Sequence, residues 1–151
     1  MAADETATRR GHMALLAQAD ASALAACWAN WTTPPAYNVL RGPETGLVML
    51  RGRAGGGGAA FNFGEATVTR AAVRLDSGEI GHAYALGRDE GRAIAAAVID
   101  ALWQRPDDRA ALRQLVFEPL AAAEARRQAR LRAESAATRV NFFTLVRGED
   151  A

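Results

Sequence analysis

The sequence predicts an α+β domain: an antiparallel β-meander with N-terminal helices, a C-terminal group of helices and a final C-terminal strand. Three observations predict it. Apolar residues fall at helical spacing before Asn30. Alternating apolar segments separated by Gly-containing turns run from about Ala36 to Ala85. Helical spacing then returns at Asp89 and persists to about Ala137. The 151 residues suit one domain, spanning 1–151, with no linker and no internal repeat. A chain of this length buries roughly 70% of the surface its unfolded form exposes, so no disulfide or metal staple is needed.

The helical start spans about Thr6 to Asn30. Met13, Leu16 and Ala17 have helical spacing, and Asp20 and Ser22 are start signals for a second short helix carrying Leu24 and Trp28 four apart. Pro34 and Pro35 forbid continuation. Tyr37 to Arg41 is a short strand candidate, Gly42-Pro43 a turn, and Thr45 to Arg53 an apolar extended run. Ala54 to Ala59 holds four successive glycines and reads as a loop. Phe61 and Phe63 lead into the longest strand candidate, Ala66 to Leu75. Asp76-Ser77-Gly78 makes a hairpin turn, and Ile80, His82 and Tyr84 alternate on one face of a return strand, where His82 is expected to be half-buried. The product is a meander with one face buried.

Asp89 can cap a helix running to about Gln104 with Ile94, Ala95, Val98, Ile99 and Leu102 as its apolar stripe. Pro106 ends it. Asp107 or Asp108 can cap the next helix, which carries Leu112, Leu115 and Val116, and Glu118-Pro119 suits the opening of another that reaches about Ala137. Arg139 to Gly148 then reads as a strand in which Val140, Phe142, Thr144 and Val146 alternate with Asn141, Phe143 and Leu145. Both its faces are apolar, so it is either central in the chain's own sheet or buried in a partner.

Composition excludes several functions. The formal net charge of +1 does not suit a protein that neutralises phosphate backbones, and aromatic interleaving for nucleic acid is missing. All 18 basic residues are arginine, which fits a GC-rich coding sequence and also bidentate anion recognition. Without lysine there is no phosphate-binding P-loop, and the glycine run fails the dinucleotide fingerprint. One cysteine and two histidines 70 positions apart give no metal spacing, so no metal is expected. Cys27, beside Trp28 in an alanine-rich helix, reads as a small core residue rather than a nucleophile. The three serines sit in no nucleophile elbow. The lone cysteine and the absence of a signal-like start or apolar span favour the cytoplasm, with no membrane or nucleic-acid partner.

Three groupings retain chemistry. Gly55 to Gly58 can bring backbone N–H groups close to an anion, with Arg51 and Arg53 on one side and Arg70 and Arg74 following on the next strand. Arg70 and Arg74 share a face roughly 13 Å apart. Such arginine forks could hold a polyphosphate or phosphonate; the alternative is a plain hairpin loop whose arginines cover a sheet face. Glu44 and Glu65 flank the loop and read as solvated. On the late helix, Glu124–Arg127 and Arg130–Glu134 are at ion-pair spacing, leaving Arg126 and Arg132 for solvent or an acidic partner. The third grouping is the terminal strand, with Phe142 and Phe143 on opposite faces.

Three stretches together resemble the PhnG family, the G subunits of the phosphonate C–P lyase core complex. They are Glu44-Thr45-Gly46-Leu47-Val48 on to Arg53 and the glycines; Gly64-Glu65-Ala66-Thr67-Val68-Thr69-Arg70-Ala71-Ala72-Val73-Arg74-Leu75 with Gly87-Arg88-Asp89 and Ile99-Asp100-Ala101-Leu102; and Arg139-Val140 through Phe142-Phe143-Thr144 to Val146-Arg147-Gly148. The resemblance implies a core complex with subunits H, I and J, arranged as a two-fold dimer of heterotetramers. It implies that G, H, the nucleosidase-like I and a transient ABC-type subunit L join an alkylphosphonate to C1′ of the ribose of ATP. Adenine is displaced, and ribose 1-alkylphosphonate 5-triphosphate forms. The radical subunit J later cleaves the carbon–phosphorus bond. G would steer I away from plain ATP hydrolysis, with MgATP a substrate of the complex and no cofactor on this chain. No catalytic residue is carried over. Arg53, Gly55, Gly56, Gly58, Arg70 and Arg74 become the candidate anion-binding residues, and Arg126, Arg130, Arg139, Phe142, Phe143 and Arg147 the candidate partner interface. The family signature could equally mark contacts with I. Two alternatives stand beside this reading: a purely structural subunit that docks on I, and a free-standing nucleotide-binding protein.

Overall fold

The computed structural model describes residues 2–54 and 57–138. Two helices, α1 (Ala2–Gln18) and α2 (Ala21–Ala29), precede three strands: β1 (Tyr37–Gly52), β2 (Phe61–Leu75) and β3 (Ile80–Leu86). Helix α3 (Glu90–Trp103) follows. A 3-10 turn (Pro106–Asp108), α4 (Arg109–Leu112), a π turn (Arg113–Phe117) and α5 (Glu118–Ala137) then run on without a break. The sheet is antiparallel, in the order β1-β2-β3. The fold is α+β, with helices on one face of the sheet. The expected final strand, Arg139 to Gly148, lies outside the described residues.

The helix boundaries follow their caps. Asp20 accepts from the N–H of Ser22 (2.9 Å) and Ala23 (3.1 Å) to start α2. Asp89 accepts from the N–H of Arg92 (2.8 Å) to start α3. The expected cap at Asp107 or Asp108 is replaced by other chemistry: neither aspartate makes a side-chain cap bond. Asp108 pairs with Arg105 at 2.9 Å instead, and the segment tightens into a 3-10 turn. Glu118-Pro119 opens α5 as expected, with Pro119 in its first turn, but the backbone enters it from the π turn without leaving the helical region. The π turn lets the Glu118 N–H bond the Arg113 carbonyl, which shifts the hydrogen-bond ladder where Pro119 has no N–H to contribute. The expected helix start therefore lies within one continuous rod.

The buried face of the sheet is built from small residues. Gly81, Ala83 and Ala85 of β3 and Thr69, Ala71, Val73 and Leu75 of β2 meet α3. Ala93, Ala96, Ala97 and Ala101 face them, with Val98, Ile99 and Leu102, while Ile94 and Ala95 of the expected stripe are only half-buried. Gly81 marks the closest approach. A Cβ there would lie 1.9 Å from the Ala97 carbonyl oxygen and 2.5 Å from the Ala101 nitrogen. The alternation of Ile80, His82 and Tyr84 is correct but belongs to the opposite, open face, so His82 is exposed rather than half-buried. Buried Thr69 is satisfied by the Gly87 carbonyl (2.7 Å) and the Thr45 hydroxyl (3.0 Å).

Two polar ties fasten helices to the sheet. Asp100, 2% exposed on α3, accepts a bidentate pair from Arg9 of α1 (2.8 and 2.7 Å) and the N–H of His82 on β3 (2.9 Å). Arg92 of α3 donates to the Ala19 carbonyl between α1 and α2.

β1 departs most from expectation. Gly42-Pro43 is no turn: β1 runs unbroken through it, absorbing the two residues as bulges between Val39 and Arg41 and between Arg41 and Glu44, with Gly42 at φ +72°. No residue of β1 is buried. Beyond Val68, where β3 stops pairing, Gly46–Gly52 and Phe61–Thr67 project as a two-stranded arm about 23 Å long.

Candidate functional site

Arg70 is the best-ordered of the predicted anion-binding residues. It lies on the open face of the sheet, between Glu44 of β1 and Tyr84 of β3 in register. The Glu44 carboxylate accepts from Arg70 Nε at 2.8 Å and Arg41 Nε at 2.7 Å, through the same oxygen. The two guanidiniums hold Glu44 below the ordinary carboxylate range, Arg41 contributing most. Tyr84 and then Glu44 raise Arg70 above its ordinary value. Glu44, read from sequence as a solvated loop neighbour, therefore orients two arginines. Arg74 lies four residues along on the same face, opposite Ile80, with Ala72 between them opposite exposed His82. Three arginines against one carboxylate leave this face net positive and open to water.

Arg53 and Gly58 sit at the other end of β1 and β2, at the tip of the arm. Gly58 has φ +141° and nothing within 4 Å of a would-be Cβ. Gly55 and Gly56 lie outside the described residues. Nine residues separate Phe61 from Arg70, which places the tip roughly 30 Å from the Arg41–Glu44–Arg70 group. The structure thus divides the predicted anion set into two separate places within this chain. The sequence reading grouped these residues by their order on adjoining strands, without counting the length of β2 between Phe61 and Arg70.

The predicted interface divides in the same way. Arg126 and Arg130 lie exposed on α5, while Arg139, Phe142, Phe143 and Arg147 lie outside the described residues. Both predicted ion pairs form: Arg127 with Glu124 at 2.8 Å and Arg130 with Glu134 at 3.5 Å. An apolar cleft of about 490 Å³ opens between Trp28, Pro35, Tyr37, Pro43, Ile94 and Val98, with Glu90 at its rim and no arginine in its lining.

Other reactive groups are engaged in packing. Cys27 is half-buried against the core, and burial pushes its thiol up, away from a nucleophile's range. His12 stacks on Phe117 (3.7 Å between centroids) and meets Trp103 edge-on (4.2 Å). Burial first, and Arg113 second, lower its pKa. The unfolded chain takes up a proton near pH 6.5 that the folded chain resists. His12 therefore contributes stability that is intact above about pH 6.5 and is lost as pH falls toward the depressed folded value. Melting curves between pH 8 and pH 5 should show this fall in Tm, and His12→Phe should flatten it. Among the described residues no cluster of His, Cys, Asp and Glu could hold a metal ion, and no helix is long and apolar enough to cross a membrane.

The sequence profile of the family described as "Phosphonate metabolism protein PhnG" matches residues 7–148. The chain belongs to the PhnG family. A curated relative from Rhizobium meliloti (strain 1021), "Alpha-D-ribose 1-methylphosphonate 5-triphosphate synthase subunit PhnG", is 53% identical over 147 residues, covering 95% of this chain and 92% of the relative. The PhnG match takes in both arginine groups, the arm, α5 and the residues past Ala137.

Proposed function

We propose that this chain is a non-autonomous subunit of a ribose 1-alkylphosphonate 5-triphosphate synthase in the cytoplasm. With the nucleosidase-like subunit I and subunits H and L, it supports displacement of adenine from MgATP by an alkylphosphonate, and it joins a core complex that also contains J. It binds no cofactor of its own. The observation that carries this reading is 53% identity, across nearly the whole chain, to a protein named as a subunit of that synthase. The geometry agrees with a positioning role. Joining two polyanions needs water excluded and charge held in place, and the open sheet face presents Arg41 and Arg70 on the Glu44 carboxylate with Arg74 farther along the same strand as Arg70.

Separation of the two arginine groups sharpens the test. Arg70→Ala and Arg53→Ala should each assemble normally with I. In an adenine-release assay with and without methylphosphonate, Arg70→Ala should shift turnover from phosphonate transfer toward ATP hydrolysis by at least about tenfold, or ~1.4 kcal/mol of barrier difference. If both variants transfer phosphonate normally, neither arginine grips substrate. The second reading, a subunit that only docks on I, would then stand. Turnover of ATP and methylphosphonate by the isolated chain would defeat the proposal outright.

A further inference from the structure

The outer edge of β1 has no strand beside it among the described residues. Edge strands in soluble proteins are blunted by charges, prolines, bulges or short length, because their unpaired N–H and C=O groups recruit other strands. Among the described residues β1 is the edge of the sheet along its whole 16 residues. Its protective features bracket one window instead of filling it. Pro43 and the bulges around Arg41 lie before Thr45, and a further bulge lies between Leu50 and Arg51. Between them, Thr45-Gly46-Leu47-Val48-Met49-Leu50 carries neither charge nor proline. Leu47 is 62% exposed and Met49 58%, on one face, while Leu50 is exposed on the other. Phe63, 60% exposed, covers Gly52 just past the window. A two-stranded arm with apolar side chains on both faces is marginal in water by itself.

We propose that a strand of another synthase subunit adds to β1 along Thr45–Leu50, a window about 20 Å long. This rests on the reading of the chain as a synthase subunit. The flanking charges specify the occupant. Arg41 and Arg70 stand around Glu44 at the base of the window and Arg51 and Arg53 at its tip, so the incoming strand is apolar at its centre with acidic residues at both ends. A second copy fits poorly. Laid antiparallel on the same edge, it would bring the tip arginines of each chain toward the base arginines of the other, where Glu44 already serves two guanidiniums.

Hydrogen exchange on the full chain, alone and assembled with subunits I and H, tests this. The outward amides of Thr45–Leu50 should exchange rapidly in the isolated chain and at least about a hundredfold more slowly in the complex. Leu47→Gln/Met49→Gln should leave the Tm of the isolated chain nearly unchanged, since both side chains are exposed and no charge is placed opposite Glu65, but weaken co-purification at least about tenfold; Leu47→Val/Met49→Leu should retain it. Assembly with unaltered exchange in the window overturns this inference and leaves the subunit reading intact. Failure to assemble at all overturns both. Protection in the isolated chain that vanishes on truncation after Thr138 would make residues 139–151 the occupant. Protection that rises with protein concentration would make it a second copy. Either result overturns the proposal.

Discussion

Gly81→Val should be among the most destabilising single substitutions in this chain. A valine side chain at this position begins with a Cβ placed 1.9 Å from the Ala97 carbonyl oxygen and 2.5 Å from the Ala101 nitrogen. Both obstacles are backbone atoms of α3, so no rotamer change relieves them. The helix has to lift from the sheet by more than an ångström, and the contact between the alanine ridge of α3 and the small residues of β3 is lost with it. Overpacking of this kind usually costs 1–3 kcal/mol when side chains can adjust. Here the whole helix must move, and a cost above about 4 kcal/mol is expected. For a domain of this size that is a fall in Tm of roughly 10 °C or more, read by thermal melts or, if the protein is insoluble, by its loss from the soluble fraction. Gly81→Ala should show the same defect more mildly. A Gly81→Ala variant melting within 2 °C of the parent would show that α3 can give way at Ala97 and Ala101 at little cost.

The second large effect is expected at Asp100. Its carboxylate satisfies both Arg9 and the N–H of His82 from a nearly solvent-free position. Asp100→Ala strands the guanidinium and leaves the backbone donor unpaired. Removing one partner of a fully buried ion pair costs about 3–5 kcal/mol. Arg9 is 35% exposed and can turn toward water, so about 2–4 kcal/mol is expected here. Chemical denaturation of the parent, Asp100→Ala, Arg9→Met and the double variant forms a cycle that isolates the pair. Arg9→Met should cost at least as much as Asp100→Ala, because it leaves the buried carboxylate without its cation, whereas Arg9 left alone can turn toward water. The double variant should cost clearly less than the sum. Additivity would mean that the two residues contribute independently.

Much of the fold can be read from the sequence because its signals are local. Asp20 and Asp89 each cap the helix they precede, and Asp76-Ser77-Gly78 turns where a hairpin turn was read: Gly78 N–H bonds the Leu75 carbonyl at 2.9 Å. The readings that failed share another cause. Gly42-Pro43 uses residue types common to turns and to irregularities inside a continuous strand, and composition does not separate the two. Neighbouring strands and ladder shifts decide that. The candidate site suffered in the same way. Arg70 was legible as an arginine on a strand, but its partner Glu44 stands 26 positions away and is found only through the register of β1 against β2. The Arg9–Asp100 pair spans 91 positions and has no local signature. His82 was placed on the correct alternation and the wrong side, because Gly81, Ala83 and Ala85 carry no apolar bulk to announce the buried face.

The unbroken rod from Arg109 to Ala137 has a geometric consequence at its far end. Leu120 is the last residue of α5 to be buried, and every residue from Ala125 to Ala137 is exposed. That stretch advances about 20 Å, turning 100° per residue, and none of its side chains is buried against the rest of the described residues. The compass direction in which the polypeptide departs is therefore set at the π turn and counted out residue by residue. Inserting a single alanine after Ala125 would swing the departing chain by more than a quarter circle, while inserting seven would nearly restore its bearing and carry it about 10 Å farther.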